Sequence, residues 1–203
     1  MVLNEHPSKL FVEVTTLCNL RCGMCVKQNG AGGIPEGSMS PETFDRLLPA
    51  FPHLDTLVLN GIGEPLLHPH LERFIARART LLPERASVGF QTNGMMLTDE
   101  RAESLVAAGL DRICLSLDTV SDDSFRSIRS GGEMQGIVAA FAGLNKARAR
   151  HRGRDLRIGI EFVLMRDNLA DLPHAIRWAG RSGASFAIVT QLLPFHKDIV
   201  EQE

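Results

Sequence analysis

Six short stretches rich in apolar and β-branched residues, at 10–16, 54–60, 86–92, 112–118, 156–165 and 185–191, alternate along the chain with helical patterns. Each is followed by polar, glycine or proline residues, as a strand leaving a sheet is. Ser40-Pro41-Glu42 opens the first helix, with Ser40 suited to the N-cap, Pro41 to the first helical position and residues 43–48 supplying the apolar face. Residues 69–82 place Leu71, Phe74, Ile75 and Ala78 on one stripe. A third helix starts at Thr98-Asp99-Glu100 and ends at Ala108, with Gly109 as its C-cap. Residues 121–128, 134–150 and 169–181 complete the set. A regular βα alternation predicts parallel strands joined by right-handed crossovers. Six units suit 203 residues at roughly 30 to 35 residues each; eight, as in a full barrel, do not.

A parallel strand buried on both faces reads as a continuous apolar run. Here Glu13, Thr15, Gln91, Ser116, Asp118, Glu161 and Gln191 interrupt the runs. Polar groups there cost free energy unless paired, so their clustering near strand ends predicts a site. Charge adds no pull toward nucleic acid or anionic membrane, because 22 Lys and Arg stand against 24 Asp and Glu. No apolar run approaches a bilayer span, and Asn4, Glu5, His6 and Lys9 leave the N-terminus without a signal-peptide core. The chain reads as one domain over residues 1–203. It stops about a dozen residues after the sixth stretch, where a final helix would begin, so a piece of a longer protein is expected.

Three of the four cysteines, Cys18, Cys22 and Cys25, form a C-x3-C-x2-C run directly after the first strand. Disulfide scaffolds spread their cysteines more evenly, so a reducing, cytoplasmic setting is expected. Thiols this close converge on one metal centre. A structural zinc site takes four ligands, and the fourth would be distant Cys114 or a histidine. Cys114 shares parity with Ser116 and Asp118 but lies about 6–7 Å deeper along the strand, and reads as a small buried apolar residue. A four-iron cluster held by three cysteines leaves one iron open for substrate or cofactor, which favours catalysis.

The cysteine run resembles the signature of the radical SAM superfamily, and the likeness covers the whole chain. Asn60-Gly61-Ile62-Gly63-Glu64-Pro65 resembles that family's GGEP motif after the second strand. Gln91-Thr92-Asn93-Gly94 is similar to the end of its third strand, and Ser116-Leu117-Asp118 to its ribose motif on the fourth. The resemblance implies an α/β fold, a partial (β/α)6 TIM-type barrel open on one side, with the site at the C-terminal ends of the strands. It implies that Cys18, Cys22 and Cys25 bind three irons of a [4Fe–4S] cluster, and that S-adenosyl-L-methionine chelates the fourth. The implied reaction is reductive cleavage to a 5′-deoxyadenosyl radical, which abstracts hydrogen from a substrate. Gly61, Gly63 and Glu64 would meet the amino end of the cofactor's methionine, and Ser116 and Asp118 the ribose. Asp118 or Ser121 as a helix cap is the bland alternative. Arg129 would pair with the methionine carboxylate, a solvated helix-end arginine being its alternative. The adenine is expected near Gly159-Ile160-Glu161, Val189-Thr190-Gln191 and Met24, where relatives often carry an aromatic.

The general look of TTLCNLRCGMC, NGIGEPLLHP and FVLMRDNLADLP resembles the peptide- and protein-modifying branch, often extended by SPASM or twitch domains. A peptide is thus one expected substrate, and a carbohydrate or nucleoside the other. No cysteine follows Cys114, so the chain either is cut short or uses one cluster. Glu13, Gln91, Asn93, Glu161 and Gln191 are the strand positions expected to face the substrate. A flavodoxin- or ferredoxin-like protein would supply electrons. The competing class is a non-enzymatic iron–sulfur or zinc protein, which has no need of the strand-end motifs. The basic stretch 146–157 reads as a solvated face at the end opposite the site. His68 and His70 flank Pro69 and read as loop or capping residues, and Gly30-Ala31-Gly32-Gly33 as a turn that lets the chain wrap a cluster. Replacing Cys18, Cys22 and Cys25 together by alanine is predicted to abolish the brown colour and iron binding after anaerobic reconstitution. Iron analysis of the triple variant checks this, and retained iron would refute the ligand set.

Overall fold

The computed structural model describes residues 6–29 and 33–193. Six strands, β1 (Lys9–Phe11), β2 (Thr56–Val58), β3 (Ser87–Thr92), β4 (Arg112–Ser116), β5 (Arg157–Leu164) and β6 (Phe186–Gln191), form one sheet in the order β1-β2-β3-β4-β5-β6. Every pairing is parallel. Among the described residues β1 and β6 do not pair, so the sheet curls into a partial barrel with an open flank. The helices are α1 (Val26–Asn29), α2 (Pro41–Asp45), α3 (Leu71–Arg79), α4 (Asp99–Ala108), α5 (Asp122–Ile128), α6 (Met134–Arg150) and α7 (Leu172–Arg181). Among the described residues none is long and apolar enough to cross a membrane.

Strand parity divides the residues between two environments. Leu57, Val88, Ile113, Leu115, Ile158, Ile160 and Phe162 are buried in the main core with helix residues such as Phe74, Ile75, Leu105, Ile137 and Leu144. The alternate positions, including Lys9, Phe11, Gly89, Arg112, Cys114 and Glu161, face the barrel interior, and several of them line cavities there. The sheet is therefore packed on its helical side and partly hollow within.

The caps expected at Ser40 and Gly109 form, and Thr98 at the expected start of α4 adds another. The side chain of Ser40 accepts from the Thr43 amide at 3.2 Å, that of Thr98 accepts from the Arg101 amide at 3.1 Å, and Gly109 ends α4 at φ 108°. Elsewhere tertiary hydrogen bonds move the boundaries. The first strand is shorter than expected because residues 14–16 turn away from β2 and pair with 37–39. The Met39 amide donates to the Val14 carbonyl at 2.8 Å and the Thr16 amide to that of Gly37 at 2.9 Å. The helix expected over 69–82 starts only at Leu71, because the His70 amide is taken by Nδ1 of His68 at 3.1 Å. The last helix begins at Leu172, preceded by a 3-10 turn over Arg166–Asp171. Pro173 in its first turn has no amide to give a helix running through 169. Thr98→Ala is predicted to cost about 1 kcal/mol, lowering Tm by about 2–4 °C for a chain of this size and leaving iron binding unchanged. A thermal unfolding scan beside an iron assay checks both.

Candidate functional site

The loop after β1 carries Cys18, Cys22 and Cys25, all half-buried and none in a disulfide. It is pinned at both ends. At its base Thr15 and Ser38 form an antiparallel bridge, the Leu17 amide donates to Oγ1 of Thr15 at 3.1 Å, and the Gly37 amide donates to Oγ1 of Thr16 at 2.9 Å. Lys27 ties the loop's helical exit, α1, back to the Thr16 carbonyl at 2.7 Å. At the far side the Arg21 amide donates to the Ser130 carbonyl at 2.8 Å and that of Gly23 to Ile128 at 3.3 Å. Gly30, Ala31 and Gly32 lie outside the described residues. Burial pushes the Cys18 and Cys22 thiols above the ordinary cysteine range, and for Cys22 alone the Arg129 guanidinium, 4.0 Å from its Sγ, acts in the opposite direction.

The Gly61-Ile62-Gly63-Glu64-Pro65 turn lies directly on this loop. A Cβ at Gly63 would fall 2.7 Å from the Leu17 carbonyl oxygen and would also strike that of Thr15, so only glycine lets the two backbones meet. The Glu64 amide donates to the same Leu17 oxygen at 2.7 Å. Glu13, expected to face substrate, instead accepts from the Ile62 amide at 2.5 Å and fills the space beside Gly61.

The Glu64 side chain is buried and gathers three donors: the Leu66 amide at 3.0 Å, the Thr92 hydroxyl at 2.7 Å and the Asn93 amide at 2.7 Å. Burial raises its pKa above the ordinary carboxylate range, and the three hydrogen bonds pull the other way. Nδ2 of Asn93 then donates to Oδ1 of Asn19 at 2.8 Å, which joins the end of β3 to the cysteine loop.

Beyond β4, Asp118 has no exposure to solvent. Its Oδ1 accepts from the Val163 amide at 2.8 Å, and its Oδ2 lies 2.6 Å from Nη2 of Arg129. The helix-cap alternative fails for Asp118, and although Ser121 stands at the N-cap of α5 its side chain makes no cap hydrogen bond. The solvated reading of Arg129 fails too: it is 7 % exposed and its Nε has no hydrogen-bond partner. Burial disfavours its charge, and Asp118, Cys22 and Glu161 more than restore it.

A cavity of about 400 Å³ opens at these strand ends. It is lined by Cys18, Cys22, Cys25, Met24, Gly61, Gly63, Glu64, Ser116 and Arg129, whereas Asp118, the expected ribose ligand, lies off the wall and is paired with Arg129. Gln91, Asn93, Glu161, Thr190 and Gln191 also reach it, whereas Gly159, Ile160 and Val189 do not. Ile160 is in the core, and Gly159 lies under the Phe186 ring. His68 is fully buried, its Nδ1 accepting from the His70 amide, so Nε2 donates to the Met39 carbonyl at 2.9 Å. Both nitrogens are used, which makes it a structural residue.

Two contributors escaped the sequence reading as site residues. Asn168 donates to the carbonyls of Asp118 at 3.2 Å and Val163 at 2.9 Å, bracing the Asp118 turn. Asn60 donates to Oε1 of Gln91 at 3.0 Å across the cavity floor. Asn168 stands in no motif, and although Asn60 opens the Gly-x-Gly-Glu-Pro stretch, neither position signals so distant a partner.

Among the described residues no three His, Cys, Asp or Glu side chains converge tightly enough to ligate a single ion. Cys114 lines a different cavity, away from the other three cysteines. Three thiols spread over one wall of a cavity suit a cluster that offers each thiolate its own iron, and fit poorly the closed four-ligand zinc alternative.

The family model described as the Radical SAM superfamily matches residues 12–179. A tungsten-containing aldehyde ferredoxin oxidoreductase cofactor-modifying protein of Pyrococcus furiosus is 33 % identical over 189 residues, which are 91 % of this chain and 51 % of that protein. A GTP 3′,8-cyclase of Mycobacterium marinum is 40 % identical over 141 residues, 68 % of this chain and 39 % of the relative. The chain thus spans about half or less of these relatives' length. The crystal structure of Streptococcus suis SuiB bound to S-adenosylmethionine superposes with a TM-score of 0.77 at 14 % identity, over 98 % of this chain and 43 % of that one. That likeness establishes the partial barrel.

Asp118→Ala leaves the buried Arg129 without its counter-ion and the Val163 amide without its acceptor. It is predicted to destabilise the fold by about 3–5 kcal/mol, read as a lowered urea midpoint. A midpoint equal to that of the unaltered chain would show that the pair carries no structural weight.

Proposed function

The chain belongs to the radical SAM superfamily, and on that premise we propose that it holds a [4Fe–4S] cluster through Cys18, Cys22 and Cys25 and acts as an S-adenosylmethionine-dependent radical enzyme. The observation that carries this reading is the meeting of the cysteine loop, the Gly61–Glu64 turn and the ends of β3, β4 and β5 around one cavity. When bound, the cluster and cofactor supply one-electron cleavage of the sulfonium bond and, from it, hydrogen abstraction from a substrate.

The chain's own residues bind, orient and insulate. Backbone carbonyls of the Gly61–Gly63 turn and the one remaining lone pair of the Glu64 carboxylate can accept from an ammonium group. Arg129, with an unpartnered Nε, offers positive charge to a carboxylate. Asp118 acts by holding Arg129, so the ribose contact falls to Ser116 on the wall, with Glu161 as the neighbouring carboxylate. Burial raises the Glu161 carboxyl, while the Arg129 guanidinium lowers it. Met24 packs with Met165 and Leu192, and Val163 lies against them, giving an apolar surface for the adenine. Such walls also exclude water, which a radical reaction requires.

The open flank between β1 and β6 would admit a peptide. A small metabolite is the second reading, supported by the names of the Pyrococcus and Mycobacterium relatives, a cofactor-modifying protein and a nucleotide cyclase. A cytoplasmic setting and a flavodoxin- or ferredoxin-like donor complete the proposal.

Anaerobic reconstitution followed by S-adenosylmethionine and dithionite is predicted to yield 5′-deoxyadenosine and methionine by chromatography. Their formation should vanish with Cys18, Cys22 and Cys25 replaced. An assembled cluster that yields neither product would overturn the reading in favour of a metal-binding protein.

A further inference from the structure

On the small-metabolite reading of the site, we propose that the lower half of the barrel is a separate binding compartment for the anionic end of the substrate, a small organic carboxylic acid with a flat apolar body. A second cavity, of about 230 Å³, lies at the N-terminal ends of the strands, opposite the cysteine loop. Its walls are apolar, from Phe11, Val58, Cys114, Phe186 and Ile188. In a closed βα barrel bulky branched side chains fill these inward positions. Here the mid-barrel inward positions are small, Ser87 and Gly89 on β3 and Cys114 on β4, with Arg112 at one end and Gln91 at the other, so the interior stays hollow. The glycines shape what remains. A Cβ at Gly89 would come within 2.8 Å of Cβ of Arg112, and one at Gly159 would strike the Phe186 ring.

The mouth of this cavity is cationic. Lys9 and Arg112 line it, and Arg157 adjoins Arg112 across the β4–β5 register. Each is the first residue of its strand. Among the described residues none of the three has a carboxylate partner, although Arg79 and Arg85 at the same end are paired with Asp111 and Asp55. Nζ of Lys9 lies 6.0 Å from the Phe11 ring centroid, and the Arg157 guanidinium carbon 5.6 Å from that of Phe186, so cations and aromatic walls adjoin. An aromatic or aliphatic body seated on these walls would bring its carboxylate to Lys9 and Arg112, where charge-assisted hydrogen bonds form. The volume falls below the range of about 300–1,000 Å³ usual for drug-sized ligands, which sets the scale of the acid.

The compartment adjoins the upper cavity. Asn60 and Gln91, hydrogen-bonded at 3.0 Å, line both. That the bound acid is the molecule turned over rests on the radical reading; that it binds does not.

The test uses 3-phenylpropionate, titrated calorimetrically into the chain with and without a reconstituted cluster. Binding is expected in both forms. The neutral isostere 3-phenylpropionamide, and the Lys9→Gln/Arg112→Gln double variant, should each show affinity weaker by about tenfold or more. Arg152→Gln/Arg154→Gln, which removes cations outside the cavity lining, should leave affinity unchanged. No binding by the unaltered chain, equal affinity for the amide, or an equal loss in the Arg152/Arg154 control would overturn the proposal. A chain that binds the acid yet cleaves no S-adenosylmethionine would instead count against the radical reading alone.

Discussion

The carboxylate of Glu64 is the fixed point from which the site end of this barrel is built. It is buried, and it takes donors from its own turn and from the end of the neighbouring strand, at Leu66, Thr92 and Asn93. A buried carboxylate is costly unless hydrogen-bonded, so this side chain specifies how the ends of β2 and β3 meet. Its amide specifies a third partner, the Leu17 carbonyl of the cysteine loop. Gly63 makes that contact sterically open, since any Cβ there would collide with the loop's backbone. The positions of the thiols thus depend on a glycine and a glutamate about forty residues downstream of them.

The other side of the cavity rests on the Asp118–Arg129 pair. Removing both charges from water is expensive, and a buried ion pair by itself is weak evidence of net stability. What the pair achieves is placement. Asp118 is anchored by the Val163 amide and its turn is braced by Asn168, and Arg129 is held with one nitrogen toward Cys22 and another without a hydrogen-bond partner. A guanidinium fixed beside thiols and open on one edge is poised for an anionic group.

Sheet closure would have given a different molecule. In a closed barrel the interior is a packed core and only the loops at one end are free to bind. Here β1 and β6 do not pair among the described residues, Phe11 is left 63 % exposed, and the interior carries two cavities divided by the Asn60–Gln91 amide pair. Core burial is thereby concentrated between sheet and helices, where Phe44, Phe74, Leu105 and Phe162 sit with almost no exposure.

Much of this was legible in the sequence, because local chemistry writes local structure. The alternation of six strand patterns with helices, the Ser40 cap, the helix start at Thr98 and Gly109 at its end depend on neighbours within a few residues, and their order along the chain is the one the pattern gives. Polar interruptions in apolar strands mark a site, and Gln91, Ser116, Glu161 and Gln191 do line the upper cavity; Met24, Gly61, Gly63, Glu64 and Arg129, which line it too, were expected only from the family resemblance. The sequence did not assign their duties. Glu13 supports a turn, Asp118 retreats behind Arg129, His68 spends both nitrogens on the backbone, and the first strand breaks early to pinch the cysteine loop. Each of those outcomes depends on a partner between roughly 11 and 50 residues away. A buried polar group takes whichever distant donor or acceptor the packing of the sheet brings within reach, and that choice belongs to the tertiary structure alone.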